Sequence, residues 1–210
     1  MPGVLTPRPP AAPPPGDFAA GLYGKLPARG DFVRLGLPRD FTDPWDAWLQ
    51  VVLTGSRCIM GEAWLPAFLE APVWRFSLPP GMCGPWAALG LMLPSVDRAG
   101  RYFPLTFAAL QRQPIDQAAC ASWLGACETA GRSALENDTS PEEVAAMLGE
   151  PDLRVDATGT ADAEWWSEGS ARVSPARMLL RCMPDPATYA AMLGAENETE
   201  AGGRTWESTS

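Results

Sequence analysis

Four groups that can carry charge or hydrogen-bond lie close together in Pro94–Leu105, PSVDRAGRYFPL: Ser95, Asp97, Arg98 and Arg101. Two arginines beside a hydroxyl are the chemistry of phosphate or carboxylate recognition, because guanidinium groups donate charge-assisted hydrogen bonds in a fixed fork. One reading is therefore a small anion-binding or hydrolytic enzyme using Ser95 with Arg98 and Arg101. The chain offers that reading little support. It contains no His, which removes Ser-His-Asp and Cys-His nucleophile systems and His-ligated metals. No Gly-rich phosphate loop of a recognised pattern appears. The local alternative is an ion pair between Asp97 and Arg98 or Arg101 that shapes the loop and leaves the other arginine facing outward.

A second charged cluster, Lys25, Arg29 and Asp31, sits at a predicted strand end in KLPARGDFVRLGLP. Its local reading is a solvated turn at Gly30 in which Asp31 pairs with a nearby arginine. The Arg29-Gly30-Asp31 tripeptide invites an adhesion reading, which a cytoplasmic chain does not support. Both clusters are expected to serve recognition, with no catalytic residue, metal or cofactor assigned.

The elements that would position these groups are legible as apolar runs bounded by Pro and Gly. Trp86–Leu93 and Arg101–Leu110 read as buried strands on either side of the charged loop, and the short connection favours antiparallel pairing. Phe18–Leu26 and Val73–Leu78 are further strand candidates. Val73–Leu78 alternates apolar and polar positions, as a half-buried strand does. Met178–Met183 is expected to be the last strand, and Trp165-Trp166 to open one. Thr42-Asp43-Pro44 predicts a helix start, with a capping side chain before a first-turn Pro. Trp45, Trp48, Leu49 and Val52 then fall on one apolar face, which predicts that both Trp residues are core. A shorter helix covers Glu62–Leu69, and an Ala-rich one Ile115–Glu136. Ser140-Pro141-Glu142-Glu143 is a capping box ahead of another helix, and Pro186–Leu193 reads as the last.

Composition bounds the partners. The net charge of −9 disfavours nucleic acid or an anionic membrane surface. The five Cys include no CxxC pair and are odd in number, so reduced thiols and a cytoplasmic location are expected. The uncharged stretch Phe76–Val96 is long enough to span a bilayer, but Pro79, Pro80, Gly81, Gly84 and Pro85 break it into two strands and a turn. The first fifteen residues hold seven Pro, so residues 1–17 are expected to be a disordered Pro/Ala-rich tail. Residues 196–210 are expected to form a disordered acidic tail.

The segments YGKLPARGDFVRLGLP, DPWDAWLQ, APVWRFSL and GLMLPSVDRAGRYFPLT, with WW and MPDPATYAAML near the C-terminus, resemble the TagF family of bacterial type VI secretion systems. The resemblance spans roughly Gly21 to Leu193. It implies a non-enzymatic accessory protein and post-translational repressor whose partner is the system's forkhead-associated scaffold protein. The residues themselves predict a single α+β domain over 18–195, with a mostly antiparallel sheet of about five strands flanked by helices.

Overall fold

The computed structural model describes residues 18–156 and 161–195; both expected tails lie outside the described residues. The strands are β1 (Phe18–Gly24), β2 (Val33–Leu35), β3 (Trp74–Leu78), β4 (Ala87–Leu93), β5 (Leu105–Gln111), β6 (Ala163–Ser167) and β7 (Ala176–Leu180). They form one sheet in the order β2-β1-β5-β4-β3-β6-β7, and every neighbouring pair is antiparallel. The α+β expectation holds, but the sheet has seven strands rather than about five. Val33–Leu35 is not among the strands expected from the sequence. It is a strand because Leu22, Tyr23 and Gly24 of β1 pair with it, and three residues are too few to show a period.

Helices cover both faces. α1 (Arg39–Met60), α2 (Trp64–Leu69) and α5 (Pro186–Met192) lie on one side. α3 (Ala121–Asn137) and α4 (Pro141–Leu148) lie on the other. All seven residues of β4 and all seven of β5 are buried, as strands covered on both faces must be. Leu89, Leu91, Leu93, Leu105 and Phe107 face α3 and α4. The middle of the opposite face of these strands is made of small residues, Ala88, Gly90, Thr106 and Ala108, with Met92 and Leu110 beside them. That leaves room for Trp45 of α1, Phe76 of β3 and Trp165 of β6. Their ring centroids lie 4.7 Å (Trp45–Phe76) and 5.3 Å (Phe76–Trp165) apart. Gly90 is required here, because a Cβ would sit 2.1 Å from the Phe107 carbonyl oxygen and 2.6 Å from the Phe76 ring.

Trp45 is fully buried, and its indole N–H donates to Thr106 Oγ1 at 3.0 Å. Trp48 is only half-buried; it packs on the same aromatic cluster and donates to the Pro184 carbonyl at 2.8 Å. The expectation that both are core therefore holds fully for Trp45 and in part for Trp48.

Two helix starts differ from the sequence reading. α1 begins at Arg39, a turn before the predicted cap, and Pro44 lies inside it. Tertiary contacts carry the extra turn: Phe41 is fully buried, and Asp40 accepts the Trp86 indole N–H at 2.8 Å. α3 begins at Ala121 rather than Ile115. Ile115 is drawn into a bridge with Val155, and Asp116 captures the Ala118 and Ala119 N–H groups at 2.9 and 3.3 Å. An Asp that bonds nearby N–H groups in this way competes with helix formation. The Ser140 capping box is present as read, with Glu143 at its third position.

Candidate functional site

The charged loop lies where the sequence puts it. β4 and β5 pair from Leu93↔Leu105 outward, and the Val96↔Tyr102 bridge narrows the connection between them. Asp97 is the hub. Its Oδ1 accepts the backbone N–H groups of Ala99 and Arg101, both at 2.9 Å. Its Oδ2 accepts Arg101 Nε at 2.7 Å and the Lys25 ammonium. Backbone bonds from Asp97 N–H to the Arg101 carbonyl (3.1 Å) and from Gly100 N–H to the Asp97 carbonyl (2.9 Å) close the turn. The expected Asp97–Arg101 pair is present. The Lys25–Asp97 pair was not foreseen, since nothing local links residues 72 positions apart.

Lys25 reaches the loop because β1 ends at Gly24, with φ +137°. A Cβ there would lie 2.2 Å from the Pro104 carbonyl oxygen. Glycine lets the strand end pass close to that backbone and turns Lys25 beneath it. Lys25 and Asp97 are 4% and 3% exposed. Burial alone would push the Asp97 carboxyl up. The Lys25 ammonium, the Arg101 N–H and guanidinium and the Ala99 N–H outweigh it, and hold the carboxyl well below the usual carboxylate range. Hydrogen bonds to the charged form act in this direction.

The two charged clusters of the sequence are thus one structure. The Ser95 hydroxyl donates to the Lys25 carbonyl at 2.7 Å, and the Arg98 N–H to the Arg29 carbonyl at 3.3 Å. The Arg101 guanidinium also donates to the Gly30 carbonyl. Residues 25–32 are stapled to residues 95–103 at one end of the sheet.

Lys25, Ser95 and Asp97 are buried supports. Arg29, Asp31, Arg98 and Arg101 are exposed. The expected pairing of Asp31 with a nearby arginine is not formed among the described residues. Arg29 turns instead to Glu142 at the start of α4, at 3.4 Å. The hydrolytic alternative lacks its geometry: the Ser95 hydroxyl is buried against a carbonyl, and the Asp97 carboxylate occupies the place an anion would take beside Arg101. Both Asp97 oxygens are engaged, and a carboxyl held this low is a weak base.

Sequence reasoning missed Phe32. It is 48% exposed, yet its ring stacks on Tyr23 at 5.8 Å, meets Phe103 edge-on at 4.8 Å and covers the Lys25 ammonium at 4.5 Å. An aromatic directly after the Arg29-Gly30-Asp31 turn was the available signal. Among the described residues, no cluster of three or more His, Cys, Asp or Glu could hold a metal ion, and no helix is long and apolar enough to cross a membrane.

Comparison with known proteins places this geometry in a family. No curated protein matches the chain. The crystal structure of PA0076 from Pseudomonas aeruginosa PAO1 is similar, with a TM-score of 0.76 and 35% sequence identity over 88% of this chain and 98% of that one. Residues 21–150 match the TagF N-terminal domain, described as type VI secretion system-associated. That match starts at Gly21 within β1 and takes in β2 to β5, the whole charged staple and the start of α4 that meets it, and on it this chain belongs to the TagF family of type VI secretion system-associated proteins.

Proposed function

We propose that this chain is a non-enzymatic accessory protein of a bacterial type VI secretion system, a post-translational repressor that acts in the cytoplasm by binding the system's forkhead-associated scaffold protein. The observation that carries the reading is the family match over residues 21–150. The staple supports it physically. Arg29, Asp31, Arg98 and Arg101 present charge on a loop pair that Lys25, Ser95 and Asp97 hold from beneath. A surface ordered before it meets its partner loses little entropy on binding. Two measurements test the reading. The purified chain should co-elute with the purified scaffold, and raising its level in a secretion-positive bacterium should lower secretion without lowering scaffold abundance. Absence of a complex, or secretion that does not respond to the chain, would refute the repressor role.

A further inference from the structure

Phe32 is half-exposed, yet its ring and the backbone around it are held in place. Tyr23, Phe103 and the Lys25 ammonium hold the ring. The backbone around it is held by the Arg29 N–H to Leu26 carbonyl bond (3.0 Å), the Arg98 N–H to Arg29 carbonyl bond and the Arg101 guanidinium on Gly30. Rigid aromatic and arginine side chains are the residues in which binding energy concentrates. Three exposed arginines, Arg29, Arg98 and Arg101, lie on the two stapled loops around Phe32, in a chain whose net charge is −9. The side chains of Arg29 and Arg101 are 54% and 58% exposed. Arg98 is exposed, and its side chain makes no hydrogen bond or ion pair among the described residues. A groove leads away from Phe32, between residues 28–35 and the start of α4.

Among the described residues, the acidic groups lining this groove are Asp31 and Glu142. Glu142 meets Arg29 at 3.4 Å, between side chains 65% and 54% exposed. Pairs that long and that exposed are weak, so an incoming carboxylate can replace Glu142 on Arg29.

We infer that this surface receives an acidic, extended segment of the partner, which sets a large apolar side chain against Phe32 and carboxylates on Arg29 and Arg98. The inference rests on the partner reading above and adds what is recognised and by which residues. Charge complementarity selects the occupant: a cationic segment would face three arginines, and a purely apolar one would leave Arg98 without a counter-charge among the described residues.

The test is calorimetric titration of the full chain with the purified forkhead-associated scaffold, at low and high salt. Phe32→Ala and Arg98→Glu should each weaken binding by about tenfold or more. Glu142→Gln should tighten it by releasing Arg29. Added salt should weaken the wild-type complex, and Ile59→Ala, an exposed site on α1, should change nothing. Arg98→Glu decides the matter if Phe32→Ala melts early. Phe32 and Arg98 variants that bind like wild type, a complex that added salt leaves unchanged or strengthens, or equal losses at Ile59 would overturn the inference while leaving the partner assignment intact. A wild-type chain that does not bind the scaffold removes the partner assignment, and the inference falls with it.

Discussion

Trp45 and Lys25 are both almost wholly buried, 0% and 4% exposed, but they stabilise the chain by opposite means. Trp45 is held by area: Phe41, Trp48, Phe76 and Trp165 surround it with rings, and one hydrogen bond satisfies its N–H. Apolar burial of this kind is non-directional and indifferent to pH. Lys25 is held by direction and charge. Its ammonium meets Asp97, and Asp97 in turn gathers Arg101 and two backbone N–H groups. Such a pair offsets its own desolvation only while every partner is in place. The aromatic layer therefore supplies stability, and the staple supplies the shape of one surface.

The largest effect expected is at the aromatic layer. Trp45→Ala should lower unfolding free energy by about 3–5 kcal/mol, read from denaturant midpoints. Trp48→Ala, on the same helix but half-buried, should cost roughly half as much, about 2 kcal/mol. Equal losses at the two sites would show that the cluster, rather than burial depth, sets the cost.

Next comes the staple, where pH separates the two regions. The folded-state pKa of Asp97 lies below its unfolded value. Its stabilisation is therefore complete above the unfolded value of about 4, and is lost as pH falls below that value toward the folded one. Asp97→Asn should destabilise the protein at neutral pH and flatten the acid side of the stability curve. Some acid dependence will remain, because the Ser140 hydroxyl and N–H hold Glu143 low as well. Trp45→Ala should lower the curve and leave its acid slope unchanged. An Asp97→Asn curve parallel to wild type would contradict the role assigned to the carboxylate.

The smallest expected effect on stability is at Arg98. Arg98→Ala keeps the backbone bond to Arg29 and should change stability by less than about 0.5 kcal/mol, while weakening the scaffold complex. If the variant melts several degrees lower and binding falls only with the folded fraction, Arg98 is structural.

Much of this was legible before the fold was known, for local reasons. The buried pair β4 and β5, the loop between them and the Asp97–Arg101 contact all lie within one short stretch of chain, where apolar runs and turn residues state the geometry directly. The Ser140 capping box needs only four consecutive residues. The helix starts at Arg39 and Ala121 were misplaced because distant partners, Trp86 for α1 and Val155 for the segment before α3, outweighed the local signals.

The sequence by itself determined most of the elements, β2 excepted, which family the chain resembles and which charged residues deserved scrutiny, because hydrophobic period, turn chemistry and motif are properties of neighbouring residues. It could not join Lys25 to Asp97, since their meeting depends on β1 lying beside β5 in the finished sheet and on Gly24 turning the chain beneath Pro104. Nor could it sort seven charged or polar candidates into buried supports and an exposed rim. Burial belongs to the packed sheet and helices. Only the tertiary structure could set Lys25, Ser95 and Asp97 beneath the surface and leave Arg29, Asp31, Arg98 and Arg101 upon it.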